Sequence, residues 1–373
     1  MLTIRGMLYV TGDRCPGRER LFARPVGVYV TLDVAEPSIE RRVAPRMSIR
    51  RLCTCSFAGL VLLGCDSSPT TSVASADDAA LSITVQDLRA AVEALADDST
   101  RGRASASPEL EKAARYVAAR LHAAGLDAGG TDGYLQPFPF SFGGQSFNTI
   151  GWLRGSDSEK RDEYVIFSAH LDHLGISHGT GGDTIYNGAD DNASGIATLL
   201  ELAEAYAGLD RAPRRTVVFI AFAGEEDGLL GSSYFTNHPT FPLDGAIALL
   251  NIDMVGRSAS NGVRDPRNSV AAIGKERSFL GGVADRVAAG HPELDLALLD
   301  DPWPQEGLFG RSDQLHFFRQ GVPVLLFTTG LHADYHRTSD EAELLDYVKT
   351  MRIARLLFHI GVELANVDEV PVD

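Results

Sequence analysis

The chain has 373 residues, of which 44% are hydrophobic, and a net charge of −16. This length is enough for one large α/β domain, or two small ones, with a sizeable buried core. The charge is uneven, because residues 1–65 hold ten Arg against five Asp or Glu, which leaves −21 for the rest. A segment this acidic is not expected to bind nucleic acid or an anionic membrane surface.

All four cysteines fall in the first 65 residues, at Cys15, Cys53, Cys55 and Cys65. The body that follows can therefore contain neither a disulfide nor a cysteine-ligated metal ion. If the body binds a metal, its ligands must be His, Asp and Glu.

Residues 47–65 have the pattern of a lipoprotein signal peptide. Arg50 and Arg51 form a positive n-region, and an apolar stretch follows that is shorter than the roughly 20 residues needed to span a bilayer. The stretch ends in Leu-Leu-Gly-Cys65, which resembles the bacterial lipoprotein cleavage box. We therefore expect Cys65 to carry a lipid anchor; an ordinary signal peptide with an incidental Cys is the alternative.

The same segment predicts where the domain begins. An export signal works at an N-terminus, so we expect Met47 to be the true start and residues 1–46 to be an upstream extension. Asp66 resembles an inner-membrane retention signal of Gram-negative bacteria, which would place the protein on the periplasmic face. Residues 66–81 are small and polar and predict a flexible tether, which leaves 82–373 as the folded domain.

Hydrophobic periodicity then predicts a regular α/β architecture. Helices are expected over 83–96 and 107–124, and a strand-like stretch over 138–153 is broken by two glycines. Apolar strands and helices alternate after that: strands at 164–169, 216–222, 246–252 and 322–327, and helices at 193–207, near 228–235 and at 341–365. This alternation predicts a three-layer α/β/α sandwich around a mixed, mostly parallel sheet.

Acidic and His residues recur directly after the predicted strands. They lie in the segments HLDH (170–173), GADDNASG (188–195), AGEED (223–227), Asp253 and DYHRTSD (334–340). In open α/β sheets, ligands bind beyond the carboxyl ends of the strands. Crowded carboxylates at such an edge need a cation, and a set of His and carboxylates without Cys suits Zn²⁺.

Five motifs together carry a resemblance to a known family. The motifs are SAHLDH, GADDNASG, FAGEEDGLLGS, NIDMVG and YHRTSDE. Together they resemble those of the co-catalytic two-zinc aminopeptidases, which include bacterial leucyl aminopeptidases, aminopeptidase S and aminopeptidase Y. The resemblance runs from about residue 85 to 365. It implies an α/β/α fold, two Zn²⁺ ions and a bare catalytic domain that hydrolyses the first peptide bond of peptides with a free N-terminus.

The resemblance also implies a role for individual residues. The implied ligands are His170 and Asp253 for one zinc, Glu226 and His336 for the other, and Asp191 between the two. Glu225 would be the general base, and Asp172 would orient His170 through its other ring nitrogen. A cis peptide is implied between Asp191 and Asn192. His173 adjoins this set, and we expect it to form hydrogen bonds there rather than bind metal.

Three further residues are expected to contact substrate: Met254, His332 and Gln314. Relatives often have His or Tyr at the position of Gln314, where the side chain could stabilise a developing oxyanion. Gln can donate a hydrogen bond too, but this departure leaves the role open.

Three alternative functions remain. A carboxypeptidase or dipeptidase acting on acidic peptides would need a basic pocket, which Arg257, Arg264, Arg267 and Arg311 could supply. Glutaminyl cyclase uses the same scaffold with one zinc, but its relatives depart from the motifs around His170 and Asp191. A non-catalytic binding module would have lost ligands or the base, which this chain keeps.

Overall fold

The computed structural model describes residues 75–370, except 141–142, 178, 180–181 and 259–261. The predicted signal peptide, Cys65 and the first part of the predicted tether lie outside these residues. Among the described helices, none combines the length and the apolar character needed to cross a bilayer.

The described part begins with three helices, α1 (Ala76–Leu81), α2 (Val85–Leu95) and α3 (Pro108–Ala123). Ser75 caps α1 by accepting a hydrogen bond from the backbone N–H of Asp78, and Ala79 and Ala80 are buried. Residues 76–81 were predicted to belong to the tether, and that boundary is wrong. Small residues fit a close helix contact as well as a solvated linker, so composition did not distinguish the two.

The main sheet contains nine described strands. They are β1 (Asp127–Ala128), β2 (Leu135–Pro139), β3 (Gln145–Leu153), β4 (Tyr164–His170), β7 (Thr216–Phe222), β8 (Ala246–Ile252), β9 (Ser269–Ile273), β10 (Ala297–Leu299) and β11 (Val324–Thr328). A separate hairpin is formed by β5 (Gly175–Ile176) and β6 (Ile185–Tyr186).

The strand order is β1-β3-β7-β4-β8-β11-β9-β10, with β2 paired to β3. The central strands β7, β4, β8 and β11 are mutually parallel, whereas β3 joins β7, and β9 joins β11, in antiparallel fashion. The sheet is therefore mixed with a parallel centre, as predicted. Because the central strands are parallel, β4, β7 and β8 all end at the same edge.

Helices cover both faces of the sheet. The remaining ones are α4 (Gly195–Ala207), α5 (Leu230–Asn237), α6 (Leu280–Gly290), α7 (Gln314–Arg319) and α8 (Tyr347–Asn366). Side chains alternate along β4, so Phe167 packs in the core with α4 and α8, whereas Ile166 packs with Phe235 of α5 and Phe317 of α7. Both faces of β4 are buried, which explains its continuous apolar sequence. The predicted α/β/α sandwich is confirmed.

Candidate active site

The five predicted metal ligands converge at the carboxyl edge of the central strands. His170 is the last residue of β4, Asp253 follows β8, and Glu226 lies in the loop after β7. Asp191 lies in an irregular turn that leads into α4, and His336 lies in the loop after β11. Segments far apart in the sequence are thus brought to one point by the parallel centre of the sheet.

Asp191 lies between two imidazoles. Its Oδ1 is 3.2 Å from Nε2 of His170, and its Oδ2 is 3.2 Å from Nε2 of His336. His170 Nε2 is also 3.4 Å from Oδ1 of Asp253, and His336 Nε2 is 3.1 Å from Oε2 of Glu226. The side chains therefore form two ligand sets that share one carboxylate.

These spacings can be compared with the geometry of a zinc site. A tetrahedral Zn²⁺ with bonds of 2.0–2.1 Å holds its ligand atoms about 3.3 Å apart. The four distances above agree with this value, and ligand atoms of His170, Asp191 and Asp253 all lie within 4.8 Å of one another. The residues present fit a cation on either side of Asp191.

His173 is a further imidazole beside the second ligand set. Its Nδ1 is 2.7 Å from Oε1 of Glu226 and 3.8 Å from Oδ2 of Asp191, so these three also form a cluster that could hold a metal ion. The 2.7 Å separation is a hydrogen-bond length and is shorter than the spacing of two ligands on one zinc. The geometry favours a hydrogen bond from His173 to Glu226 while the other oxygen of Glu226 faces His336.

The charges at the centre depend strongly on one another. Burial acts to raise the pKa of Asp191, but hydrogen bonds from His170 and His336 outweigh it and hold that pKa well below the ordinary value. Burial acts to lower the pKa of His336, but Asp191 and Glu226 raise it to about 9. The buried carboxylates thus favour the protonated, positively charged form of the neighbouring imidazole. A bound cation would supply that positive charge instead.

Glu225 lies beside the ligand sets without belonging to either. Burial raises its pKa well above the ordinary value, and the nearby carboxylates of Asp253, Asp313 and Glu226 act in the same direction. A carboxyl group with a raised pKa next to a ligand cluster is suited to accept and release a proton. The structure thus separates the adjacent residues Glu225 and Glu226, since only Glu226 contacts His336.

Asp172 supports the loop that carries these two glutamates. Its carboxylate accepts hydrogen bonds from the backbone N–H groups of Glu225 (3.1 Å) and Glu226 (3.3 Å) and from the hydroxyl of Ser105 (2.9 Å). Its link to His170 differs from the expected one. His170 Nδ1 is 3.2 Å from the backbone carbonyl of Asp172 but 4.0 Å from its carboxylate, so the carbonyl orients the imidazole.

The turn that carries Asp191 is held by a second carboxylate. Asp340 Oδ2 accepts the backbone N–H groups of Asp190 and Asp191, each at 3.0 Å. Asn192 donates to the carbonyl of Ile252 at 2.9 Å, which ties the turn to β8. The Asp191–Asn192 peptide is cis, as the resemblance implied. Asp340 lies inside a motif that sequence reasoning singled out, but its role was not recognised.

Arg103 is a structural residue that sequence reasoning missed entirely. It ends a short 3₁₀ segment (Asp98–Arg103) and is completely buried. Its guanidinium donates to the carbonyls of Leu171 (2.9 Å), Asn187 (2.8 Å) and Gly188 (3.0 Å). One side chain thereby joins the segment after His170 to the segment before Asp191.

An open cavity lies over the ligand sets. Its floor is formed by the ligands and Glu225, and one wall is apolar. Met254, which was predicted to contact substrate, lies in this wall together with Leu308, Leu326 and Leu331. The rest of the lining consists of Arg311, Ser312, Thr328 and Tyr335.

Residues 148–361, more than half of the chain, match the model of peptidase family M28. The chain belongs to this family. The matched residues include all five motifs in full and every candidate ligand, so the resemblance drawn from the sequence is confirmed at the level of the family.

Among curated M28-like relatives, the chain is 40% identical over 121 residues to a probable zinc metalloprotease of Pyrenophora tritici-repentis. That match covers 32% of this chain and 26% of the relative, so the chain spans about a quarter of the relative's length.

Solved structures show the M28 fold at low identity. The LapA aminopeptidase of Legionella pneumophila superposes with a TM-score of 0.63 at 18% identity, over 79% of this chain and 75% of that one. A zinc aminopeptidase of Bacillus subtilis gives 0.60 at 15% identity, over 77% and 96%. Glutaminyl cyclase of Porphyromonas gingivalis gives 0.58 at 16% identity, over 74% and 97%.

Two residues expected to contact substrate do not line the cavity of this M28 chain. Gln314 is fully buried, where its oxygen accepts from Asn251 and its nitrogen donates to the carbonyl of Phe309, both at 2.8 Å. The side chain of His332 is only 4% exposed, with Nε2 3.2 Å from Oδ2 of Asp190. Both expectations are wrong, because closeness to a motif in the sequence does not determine where a side chain points.

Proposed function

We propose that this protein is a zinc-dependent exopeptidase that hydrolyses the N-terminal peptide bond of peptides. The observation that carries the proposal is the placement of Asp191 between His170 and His336, with Glu225 facing the same cavity. A shared carboxylate between two ligand sets is the arrangement expected of a two-metal hydrolase. Family M28 membership and the zinc metalloprotease relative support the same chemistry.

Each ligand set would hold one zinc ion. His170 and Asp253 would bind the first, Glu226 and His336 the second, and Asp191 both. When bound, the two ions would polarise the peptide carbonyl and lower the pKa of water at the site. His173 keeps Glu226 in place by its 2.7 Å hydrogen bond, and Arg103 and Asp340 keep the loops of His170 and Asp191 in register.

Glu225 would move the proton. It accepts a proton from the attacking water and then gives it to the departing amine, as a general base and acid in turn. Its raised pKa, caused by burial and by neighbouring carboxylates, supports this assignment, because a carboxylate of ordinary acidity would be a weaker base and would accept the proton from water less readily.

The exopeptidase preference is supported by the ligand sets and by the wall of the cavity. The ligand residues Asp191, Glu226 and Asp253 line the cavity, so a free α-amino group that enters it could serve as a further ligand to a bound ion, which the amide nitrogen of an internal peptide bond could not. The apolar wall around Met254 leaves space for an uncharged side chain on the first residue.

Zinc content and turnover of leucine p-nitroanilide by the purified protein test the proposal. We expect about two zinc ions per chain and release of the aniline, both abolished by exhaustive chelation and restored by added zinc. The chelated protein should also melt at a lower temperature, because converging carboxylates repel one another when no cation lies between them.

Zinc content together with assays on other peptide substrates distinguishes the alternatives. Cyclisation of an N-terminal Gln with one bound zinc would indicate a glutaminyl cyclase, and cleavage from the C-terminus would indicate a carboxypeptidase. Absence of both zinc and turnover would favour a binding module, and activity that survives exhaustive chelation would exclude a metal mechanism.

We also propose that the protein is exported and lipid-anchored through Cys65, on the periplasmic face of the inner membrane in a Gram-negative cell. The support is the sequence pattern over residues 47–65 alone. Mass spectrometry of the mature N-terminus tests it, since a diacylated or triacylated Cys65 is expected. An unacylated N-terminus elsewhere would contradict the proposal.

A further inference from the structure

Arg311 brings a positive charge into an otherwise acidic cavity. Among the described residues that line the cavity, the carboxylates are Asp191, Glu225, Glu226 and Asp253, and Arg311 is the single Arg or Lys. An arginine in such a setting would be expected to pair with a carboxylate of the protein. Its contacts therefore show what the guanidinium is available to bind.

Arg311 has no carboxylate partner within the part of the chain that the structure describes. One terminal nitrogen donates to the hydroxyl of Tyr335 at 3.1 Å, and the other lies 3.5 Å from the carbonyl of Glu306. Both acceptors are neutral, and the side chain is exposed at the cavity. A guanidinium with five donors keeps several of them free for an anion.

The other arginines that sequence reasoning proposed for a basic pocket do not share this position. Arg257 is paired with Asp334 at 2.7 Å. Arg257 and Arg267 line a separate surface recess between α2 and the start of α8, and Arg264 lines neither. Arg311 alone of these four faces the candidate active site.

Tyr335 fixes where this charge lies relative to the ligands. Its ring stacks on the imidazole of His336, with ring centroids 3.8 Å apart, while its hydroxyl accepts from Arg311. The guanidinium therefore lies at the hydroxyl edge of Tyr335, with its Cζ 6.0 Å from the ring centroid. A group bound there would lie past the scissile bond of a substrate whose first carbonyl is at the ligand sets.

The distance between Arg311 and the ligand sets limits how long that substrate is. The Cζ of Arg311 is 6.0 Å from the ring centroid of Tyr335, which is 3.8 Å from the ring centroid of His336, so Cζ and the imidazole are at most about 10 Å apart. A carboxylate paired with the guanidinium takes up about 4 Å of this span, and an extended chain advances about 3.5 Å per residue. One residue therefore fits beyond the scissile bond, and a second fits only near this upper limit. Arg311 would meet a C-terminal carboxylate only if the substrate ends within this span.

We propose that Arg311 binds the C-terminal carboxylate of the substrate and that the preferred substrates are dipeptides. This inference rests on the proposed exopeptidase activity and specifies its substrate class. The ligand sets take the amino-terminal end of the substrate, and Arg311 attracts the free carboxylate at the other end. Bidentate pairing of a guanidinium with a carboxylate is among the strongest hydrogen-bonded contacts available to a protein.

The test compares leucylglycine with leucylglycinamide, which differ only in the C-terminal charge. We expect the wild-type zinc enzyme to hydrolyse leucylglycine with a kcat/KM at least about 10-fold higher. Arg311→Gln should lower kcat/KM for leucylglycine by about 10-fold, mainly through KM, and leave the amide within about 2-fold. Arg311→Lys should keep part of the preference, since it retains charge without the planar fork.

Arg267→Gln is the matched control, because it removes an exposed arginine that lies outside the cavity. It should behave as the wild type with both substrates. Equal turnover of acid and amide by the wild type would overturn the inference while leaving the exopeptidase proposal intact. An equal loss with both substrates in Arg311→Gln would mean that Arg311 acts only by holding Tyr335, and would also overturn it. Failure of the wild-type protein to cleave either substrate would overturn both proposals.

Discussion

The Nε of Arg103 donates a hydrogen bond to the carbonyl oxygen of Leu171, 2.9 Å away, one residue beyond the candidate ligand His170. The same guanidinium bonds the two carbonyls of residues 187–188, three residues before the next ligand, Asp191. Two ligand-bearing segments thus depend on one buried cation. A lysine would replace Arg103 poorly, because an ammonium group lacks the planar array of donors with which a guanidinium reaches several carbonyls at once.

Arg103→Lys should therefore destabilise the protein and loosen metal binding. At least two buried carbonyls would lose their donors, at a cost of about 1–3 kcal/mol each. Denaturant unfolding of the zinc-free protein and zinc affinity by chelator competition measure the two effects. The control is Arg101→Lys, because Arg101 is exposed and only pairs with Glu109 at 3.5 Å; its stability should change by no more than about 0.5 kcal/mol. Equal effects of the two changes would contradict a special role for Arg103.

The adjacent glutamates should respond differently to the same substitution. Glu225→Gln keeps the shape of the side chain but cannot accept a proton, so the rate should fall by at least about 10²–10⁴-fold while both zinc ions are retained. Glu226→Gln replaces a ligand that faces His336, so zinc occupancy and melting temperature should fall with the rate. Metal analysis of the two purified variants decides between the roles. Loss of zinc from Glu225→Gln alone would reverse the assignment, and nearly full activity of that variant would rule out the mechanism.

The packing of α8 on the sheet predicts a contrast between two glycines. A Cβ on Gly361 would overlap the ring of Phe167 and the hydroxyl of Tyr206, whereas a Cβ on the exposed Gly282 of α6 would meet nothing within 4 Å. Gly361→Ala should lower the free energy of unfolding by about 1–3 kcal/mol through overpacking. Gly282→Ala should raise it by about 0.5–1 kcal/mol, since Ala favours the helix. Similar unfolding curves for the two variants would show that α8 does not pack this closely.

His359 on α8 should make stability depend on pH. Burial, and then the charge of the stacked His291, lower its pKa to about 4, although Asp77 and Glu293 oppose this shift and Arg355 adds to it. The unfolded chain takes up a proton near the ordinary value of about 6.5, so the stabilisation is complete above that pH and is lost as pH falls toward 4.

The variant His359→Gln should therefore lose less stability than the wild type between pH 6.5 and about 4.5. Urea unfolding of the zinc-free proteins at both pH values measures the difference, and His122→Gln, at an exposed position on α3, is the control. An unchanged pH dependence in His359→Gln would show that this imidazole is not the group responsible.

Prediction from the sequence was most successful for residues whose position follows from the strand that precedes them. The candidate ligands His170, Glu226 and Asp253 end or closely follow apolar strands, and parallel strands that neighbour one another deliver such residues to one edge. It failed where the signal depends on a side chain's direction, as with Gln314 and His332. Arg103 was missed because it lies in a short polar segment, where the local sequence does not distinguish a buried arginine from an exposed one.

Secondary structure was missed for a related reason. The strand β9 and helix α6 were not predicted, because β9 is only five residues long and α6 contains three glycines, which weaken its helical pattern. Both are stabilised by packing against the rest of the domain, β9 by its pairing with β11. Tertiary contacts of this kind are not visible in local propensity.

The candidate ligands are spread along the chain from His170 to His336, which determines when the site can form during synthesis and folding. Neither a nascent chain that has emerged only as far as β8 nor a proteolytic fragment cut before residue 334 holds both imidazoles that flank Asp191. Under the proposed function, catalytic competence appears only after nearly the whole domain has been made and packed. Such a peptidase cannot cleave other proteins before its own folding is complete, and zinc uptake would serve as a readout of complete folding in preparations of the protein.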